Sequence, residues 1–333
     1  MTLVSVIIPV RKINNYIIKE IIPVLDNQTY KKFELIIVCQ SVGKTKFPRF
    51  VKIIKTKINN PAKMRDIGAS KAKGNFLAFI DDDVYPHKNW LKNILSYFEN
   101  KEIAGVCGPG ITPPQDNILQ KVSGLVWSSW LGAGGAGVYR CLPQKKRFVD
   151  DYPTFNLIIR KNDFNKVSGF DTKFWPGEDT QLCYKIIYKL KKKIIYDPKV
   201  LVYHHRRPIF IPHLRQISRF GLHRGYFAKI LPKTSLKIGY FVPSLFVFFL
   251  FITPLLINIV FMLNFKISAS LIISLYLATL FFYLLLIVFE MLKIFVREKN
   301  IILCFLFIPA VITTHIVYGG YFIKGLLAKR LER

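Results

Sequence analysis

The chain has 333 residues, 51% of them hydrophobic, with 49 Lys and Arg against 20 Asp and Glu, a formal charge of +29. The length allows two domains, and the charge calls for a polyanionic partner: nucleic acid, an anionic membrane face or a phosphorylated substrate. Cys39, Cys107, Cys141, Cys183 and Cys304 form no C-x-x-C pair, which argues against a disulfide framework or zinc site and fits a reducing compartment.

From the start, "TLVSVIIPVRK" has a short apolar run with no basic residues before it, so no signal peptide is expected. Short apolar runs then alternate with helical patterns. "LVSVIIPV", "FELIIVC", "VKIIK" and "NFLAFI" read as strands, and Ile17–Leu25, Ala62–Lys73 and Lys88–Phe98 as helices. Such alternation predicts an α/β, doubly wound, largely parallel sheet, in which ligands bind at the carboxyl ends of strands. Asp81, Asp82 and Asp83 stand at that end of the strand Phe76–Ile80. A helix N-terminus would account for one or two of these carboxylates. Three in a row after a buried strand point instead to a hard divalent cation held by carboxylates and substrate phosphates.

From Tyr240 to Leu263 the chain carries no charge, and apolar runs follow over Ile267–Phe289 and Ile301–Ile323. About 20 apolar residues suffice to cross the hydrocarbon core, so all three qualify as spans. Pro243, Pro254 and Pro309 are tolerable kinks there. The preceding stretch, "HHRRPIFIPHLRQISRFGLHRGYFAKILPKTSLK", is heavily basic. Its Leu214, Ile217 and Phe220 fall at helical spacing opposite arginines, the pattern of an interfacial helix on anionic lipid. Lys and Arg near the spans put the N-terminal half in the cytoplasm, the first turn outside and the second inside. Three full spans then leave the basic tail "KGLLAKRLER" outside, so either the third run is re-entrant or the tail breaks the rule. The expected organisation is a catalytic domain over 1–205, a basic interfacial segment over 206–238, a membrane region with about three transmembrane helices over 239–325, and a basic tail over 326–333.

Four stretches, "SVIIPVRK", "RDIGASKAKGNFLAFIDDDV", "VSGFD" and "GEDTQLCYKI", resemble in order and spacing the family 2 inverting glycosyltransferases with a GT-A fold. The resemblance runs from residue 2 to about 225. "GAGGAGVYR" and the basic stretch before the apolar runs are similar to the membrane-attached exopolysaccharide, succinoglycan-type branch. It implies a mixed doubly wound sheet followed by transmembrane helices. Asp81 and Asp83 match the D-x-D motif: Asp83 would bind Mg²⁺ or Mn²⁺, and Asp81 the ribose or the metal. Pro9, Arg65 and Asp82 would lie near the donor. Asp179 matches the catalytic base, with Glu178 contacting the acceptor or orienting the loop. His204 fits a further metal ligand, with His205 the near alternative. "QISRF" is close to the Q-x-x-R-W motif of processive polymerases, placing Gln216 and Arg219 by the acceptor. Trp127 and Trp130, flanking what reads as a mobile glycine loop over Gly132–Gly137, could stack on sugar or prenyl groups. The sequence departs from the family at "VCQS", where Cys39 and Gln40 cannot supply the usual base-contacting carboxylate, and at Asp66, where Asn is usual.

Glycosyl transfer needs a base on the acceptor hydroxyl and charge neutralisation on the departing diphosphate. Asp179 precedes a helical pattern at Leu182, Ile186, Ile187 and Leu190, and a helix N-terminus favours its ionised form. The expected protein is a metal-dependent inverting enzyme of the plasma membrane, multi-pass, with a cytoplasmic catalytic domain. Its partners are a nucleotide-sugar donor, a polyprenyl-linked glycan acceptor and anionic lipid, with no nucleic acid. Transfer of a single sugar to polyprenyl phosphate is the alternative within the enzyme class. A basic membrane scaffold or nucleic-acid-binding protein is the distant one, and no recognised nucleic-acid motif supports it.

Overall fold

The computed structural model describes residues 3–43, 45–170, 173–174, 176–263 and 266–331. Asp171 of "VSGFD" and the last two residues of the basic tail lie outside that set. The chain divides into two compact units. One comprises Met1–Pro114 and Tyr139–His205, the other Gln115–Val138 and Arg206–Arg333. Residues 115–138, placed by the sequence within the first 205, thus fold with the second unit.

Among its described residues the first unit contains eleven strands: β1 Val4–Lys12, β2 Phe33–Ser41, β3 Val51–Lys55, β4 Phe76–Ile80, β5 Val84–Pro86, β6 Ile103–Cys107, β7 Gly110–Ile111, β8 Arg147–Val149, β9 Asn156–Arg160, β10 Lys193–Tyr196 and β11 Val202–His204. Eight form one sheet in the order β3-β2-β1-β4-β9-β6-β10-β8. β1 pairs parallel with β2 and β4, whereas β9 runs antiparallel to both β4 and β6, so the sheet is mixed. β1 and β4 are buried at consecutive positions, as expected of strands covered on both faces. Pro9 sits inside β1 opposite Val38. Pairing with β4 extends only from Val4 to Ile7, so its missing N–H falls beyond that ladder.

The helix Pro61–Lys71 covers this sheet. Asn60 caps it, its side chain accepting from the Lys63 N–H at 3.1 Å, and Pro61 takes the first turn, where no donor is needed. The expected helix over Ile17–Leu25 is a π-turn, Ile17–Ile21, running into Ile22–Asp26. That over Lys88–Phe98 is a helix Trp90–Leu95 closed by a 3₁₀ turn, Ser96–Glu99. A second sheet, ordered β5-β11-β7, was not legible in the sequence.

The second unit holds the helices Ile118–Ser128 and Ile211–Ile230, and three long apolar helices, Ile238–Met262, Lys266–Glu298 and Ile301–Leu327. All three are long and apolar enough to cross a membrane. The glycine run Gly132–Gly137 is not a loop: it belongs to a helix, Trp130–Cys141, kinked at Gly134, whose φ is 60°. His213 knits this unit together. Its Nδ1 is 2.8 Å from Ser123 Oγ and its Nε2 is 2.9 Å from Thr314 Oγ1.

Burial lowers the His213 pKa to about 4 from an ordinary 6.5. The unfolded chain therefore takes up a proton that the folded one refuses. Stability is full above pH 6.5 and falls as pH drops toward 4, by about 3 kcal/mol at 1.36 kcal/mol per pKa unit. His213→Gln is expected to remove this slope, read as the difference in unfolding free energy between parent and variant at pH 7.5 and pH 4.5.

Candidate active site

β4 ends at Ile80 and the chain turns through Asp81–Asp83 into β5, which pairs antiparallel with β11 so that His204 stands opposite Val84. A backbone hydrogen bond from His205 N to the Asp83 carbonyl, 3.1 Å, closes the junction. This small sheet brings a histidine from far downstream to the aspartates. One ligand atom from each of Asp81, Asp83 and His204 lies within 4.8 Å of the others. His204 Nε2 is 3.5 Å from Asp83 Oδ1, and its ring lies against Phe155, 4.9 Å between centroids. His205 turns elsewhere: its Nε2 is 3.0 Å from Glu20 Oε2 and its ring stacks on Tyr16 at 4.2 Å. Of the two histidines, His204 is the one at the aspartates.

Two carboxylates and one imidazole, converging at a strand terminus, fit a divalent cation that takes oxygen and nitrogen donors. Substrate phosphates would complete its shell. Asp82 is oriented by Asn14, whose Nδ2 donates to Asp82 Oδ2 at 2.7 Å while its Oδ1 accepts from Ile17 N at 3.0 Å.

Arg65, on the helix Pro61–Lys71, ties this cluster to the next. Its Nη2 donates to Asp81 Oδ1 at 2.6 Å and its Nη1 to Glu178 Oε1 at 2.8 Å. Arg65 and Glu178 are 5% and 7% exposed and Asp81 33%, so the bridge is buried at one end and opens outward at the other. Burial opposes the arginine's charge, but Asp81 and Glu178 outweigh it and hold its pKa above the usual value. Glu178 is pushed up to about 7 by burial and by the neighbouring Asp179, against the pull of Arg65. Glu178 also accepts from Gly177 N at 3.1 Å, so it sits as an orienting group of the "GED" turn. Asp179 lies half-buried in the first turn of the helix Glu178–Tyr184, its Oδ1 accepting from Thr180 N at 2.8 Å.

The two departures from the family pattern have structural counterparts. Asp66 Oδ1 accepts from Phe170 N at 3.1 Å, a bond that an Asn carbonyl would make equally well, and burial lifts its pKa to about 6. Gln40 Nε2 reaches the carbonyls of Lys57 and Ile58, each at 3.3 Å. Pro9 is buried in β1. Trp127, Trp130, Gln216 and Arg219 belong to the second unit. There Trp127 meets Phe220 edge-on at 5.7 Å, and Trp130 is 63% exposed. Asn14 and Glu20 were missed by the sequence reading, because loop residues that reach a site only through tertiary contact leave no local pattern.

Residues 5–161 match the family described as Glycosyl transferase family 2. A pre-mycofactocin glycosyltransferase of Mycobacterium tuberculosis is 30% identical over 148 residues, 44% of this chain and 30% of that protein. A dolichyl N-acetyl-alpha-D-glucosaminyl phosphate 3-beta-D-2,3-diacetamido-2,3-dideoxy-beta-D-glucuronosyltransferase of Methanococcus voltae is 24% identical over 200 residues, 58% of this chain and 60% of that protein. The chain therefore spans less than two thirds of either relative. Among solved structures, a mannosyltransferase from Pyrobaculum calidifontis, in complex with GDP-Man and Mn²⁺, shares the fold with a TM-score of 0.54 and 15% identity, over 98% of this chain and 88% of that one. On the family match over residues 5–161, and with a mixed sheet carrying its aspartates at the end of β4, this chain carries a glycosyl transferase family 2 domain of GT-A fold.

Proposed function

We propose that the chain transfers a sugar from a nucleotide-sugar donor, with inversion and a divalent cation, to a lipid-linked glycan acceptor on the cytoplasmic face of a membrane. The observation that carries this reading is the convergence of Asp81, Asp83 and His204 within 4.8 Å, linked by Arg65 to the turn that bears Asp179. A bound Mn²⁺ or Mg²⁺ would supply positive charge against the departing diphosphate. Asp83 and His204 would hold it, with Asp81 as third ligand. Asp179 accepts the proton of the acceptor hydroxyl as that oxygen attacks the anomeric carbon from the face opposite the leaving group, and a single displacement inverts the centre. Glu178 serves the acceptor side by orienting the turn that bears Asp179. The donor class is supported by the GDP-Man and Mn²⁺ in the Pyrobaculum complex, and a lipid-linked acceptor by the dolichyl phosphate in the name of the Methanococcus relative.

The test supplies nucleotide sugars with Mn²⁺ and either a polyprenyl-linked oligosaccharide or bare polyprenyl phosphate. Asp179→Asn is expected to lower turnover by about 10³-fold, within the usual worth of a positioned base, while the thermal shift given by donor and Mn²⁺ persists. Full turnover in this variant rejects the assignment. Product on bare polyprenyl phosphate alone replaces the glycan acceptor with the simpler one.

A further inference from the structure

The third apolar helix, Ile301–Leu327, makes contacts unlike those of a membrane span. It meets the first apolar helix in that helix's first half: Phe241 packs on Phe322 at 4.8 Å, Ser244 Oγ donates to Gly319 O at 3.2 Å, and Phe246 meets His315 edge-on at 6.1 Å. It meets the second in that helix's later half: Tyr283 Oη is 2.9 Å from His315 Nδ1, and Cys304 Sγ donates to Met291 O at 3.6 Å. The first two helices pair with each other farther along, Phe249 against Tyr276 at 5.0 Å. They run antiparallel, with Phe246 against Tyr283 at 4.6 Å, so the start of one and the end of the other are the same end of a hairpin. The third helix crosses from one to the other at that end. It is also covered: 39% of its most apolar stretch is buried, against 0% and 6% for the other two.

What covers it decides its orientation. The helix Ile211–Ile230 runs beside it in the same direction. His213 meets Thr314 at one end, and a Cβ on Gly225 would lie 2.1 Å from the Phe322 carbonyl oxygen. At the other end Lys229 Nζ donates to Ala328 O. That helix exposes Arg215, Arg219 and Lys229. Arg215 and Lys229 are separated by about 21 Å of helical rise. Were the third helix upright, its neighbour would be upright too, and exposed arginines would be carried into hydrocarbon, where each is strongly unfavourable. Lying flat, the pair keeps every one of these cations at headgroup level, where anionic lipid attracts each.

We propose that Ile301–Leu327 and Ile211–Ile230 form an in-plane layer on the anionic membrane surface, and that the first two apolar helices are the crossing hairpin. The Lys329 tail then stays on the side of the basic helix, and the conflict with the positive-inside rule disappears. The inference rests on the membrane reading above. Its partner is the headgroup layer of anionic lipid.

Single cysteines in the full chain, whose five native thiols are all buried, test it. Lys46→Cys, Leu263→Cys and Lys329→Cys are probed with an impermeant maleimide in vesicles of either orientation. The expected result is labelling of positions 46 and 329 from one face and of 263 from the other. Labelling of 329 with 263 overturns the in-plane helix alone. Labelling of all three from one face overturns the crossing hairpin and the membrane-spanning reading with it. Independently, spin labels at the exposed positions Phe305→Cys and Tyr321→Cys should report equal depth in anionic vesicles. An upright helix would separate them by about 24 Å, and that result rejects the proposal.

Discussion

Asp83→Ala is expected to slow sugar transfer by about 10³-fold or more and to abolish the gain in thermal stability on adding Mn²⁺, because a catalytic cation contributes several kcal/mol and each 1.36 kcal/mol is a factor of ten. The side chain is one of three that converge within 4.8 Å, and two remaining donors leave a weaker, less directed site. The fold should survive. It is the backbone carbonyl of Asp83, not its carboxylate, that accepts the His205 N–H and closes β5 on β11. Circular dichroism and the metal-free melting temperature are therefore expected to stay unchanged. His204→Gln separates the ligand roles: with the imidazole replaced by an amide, the site offers only oxygen donors from its side chains, and its preference should tilt from Mn²⁺ toward Mg²⁺. An Asp83→Ala variant that binds Mn²⁺ as the parent does removes the metal from the site and the proposed chemistry with it.

The parts of the site legible in the sequence were those written in consecutive residues. β4 spans Phe76–Ile80 as its unbroken apolar run implied, and the aspartates stand at its end because a buried strand cannot continue through three charges. The "GED" turn opens a helix for the same local reason. What could not be read is what two distant segments make together. β5, β7 and β11 are two or three residues long, too short for alternation to register, yet their pairing chooses His204 over His205. The grouping of 115–138 with the second unit depends on Val122, Leu125 and Val126 packing among Leu303, Phe307 and Val311, a match of two apolar faces that neither segment announces alone. The basic helix was legible as amphipathic, but not that the protein helix Ile301–Leu327 packs against its buried side, at His213, Gly221 and Gly225.

Arg65→Met should be costly in stability and in rate, and the two losses should separate. The guanidinium is the shared partner of Asp81 and Glu178, at 2.6 and 2.8 Å, and its removal leaves Glu178 buried beside Asp179 without the cation that faces it. Breaking a buried pair by deleting one member costs about 3–5 kcal/mol. Glu178, already raised to about 7 with Arg65 in place, will rise further and carry a proton at neutral pH, which caps the penalty. A carboxyl whose folded pKa lies above its unfolded value stabilises most at low pH and loses that contribution as pH rises through the folded pKa. The Arg65→Met deficit, measured by denaturant unfolding, should therefore stay level from pH 5 to about pH 7 and grow from there to pH 8. Adding Glu178→Gln removes the stranded charge and should recover most of the stability. Turnover should not return, because Asp81 has still lost the guanidinium that holds it and the site has lost a fixed positive charge beside that carboxylate. A double variant as active as the single Glu178→Gln would reduce Arg65 to a structural strut. One that recovers stability while staying inactive assigns the arginine to both the fold and the reaction.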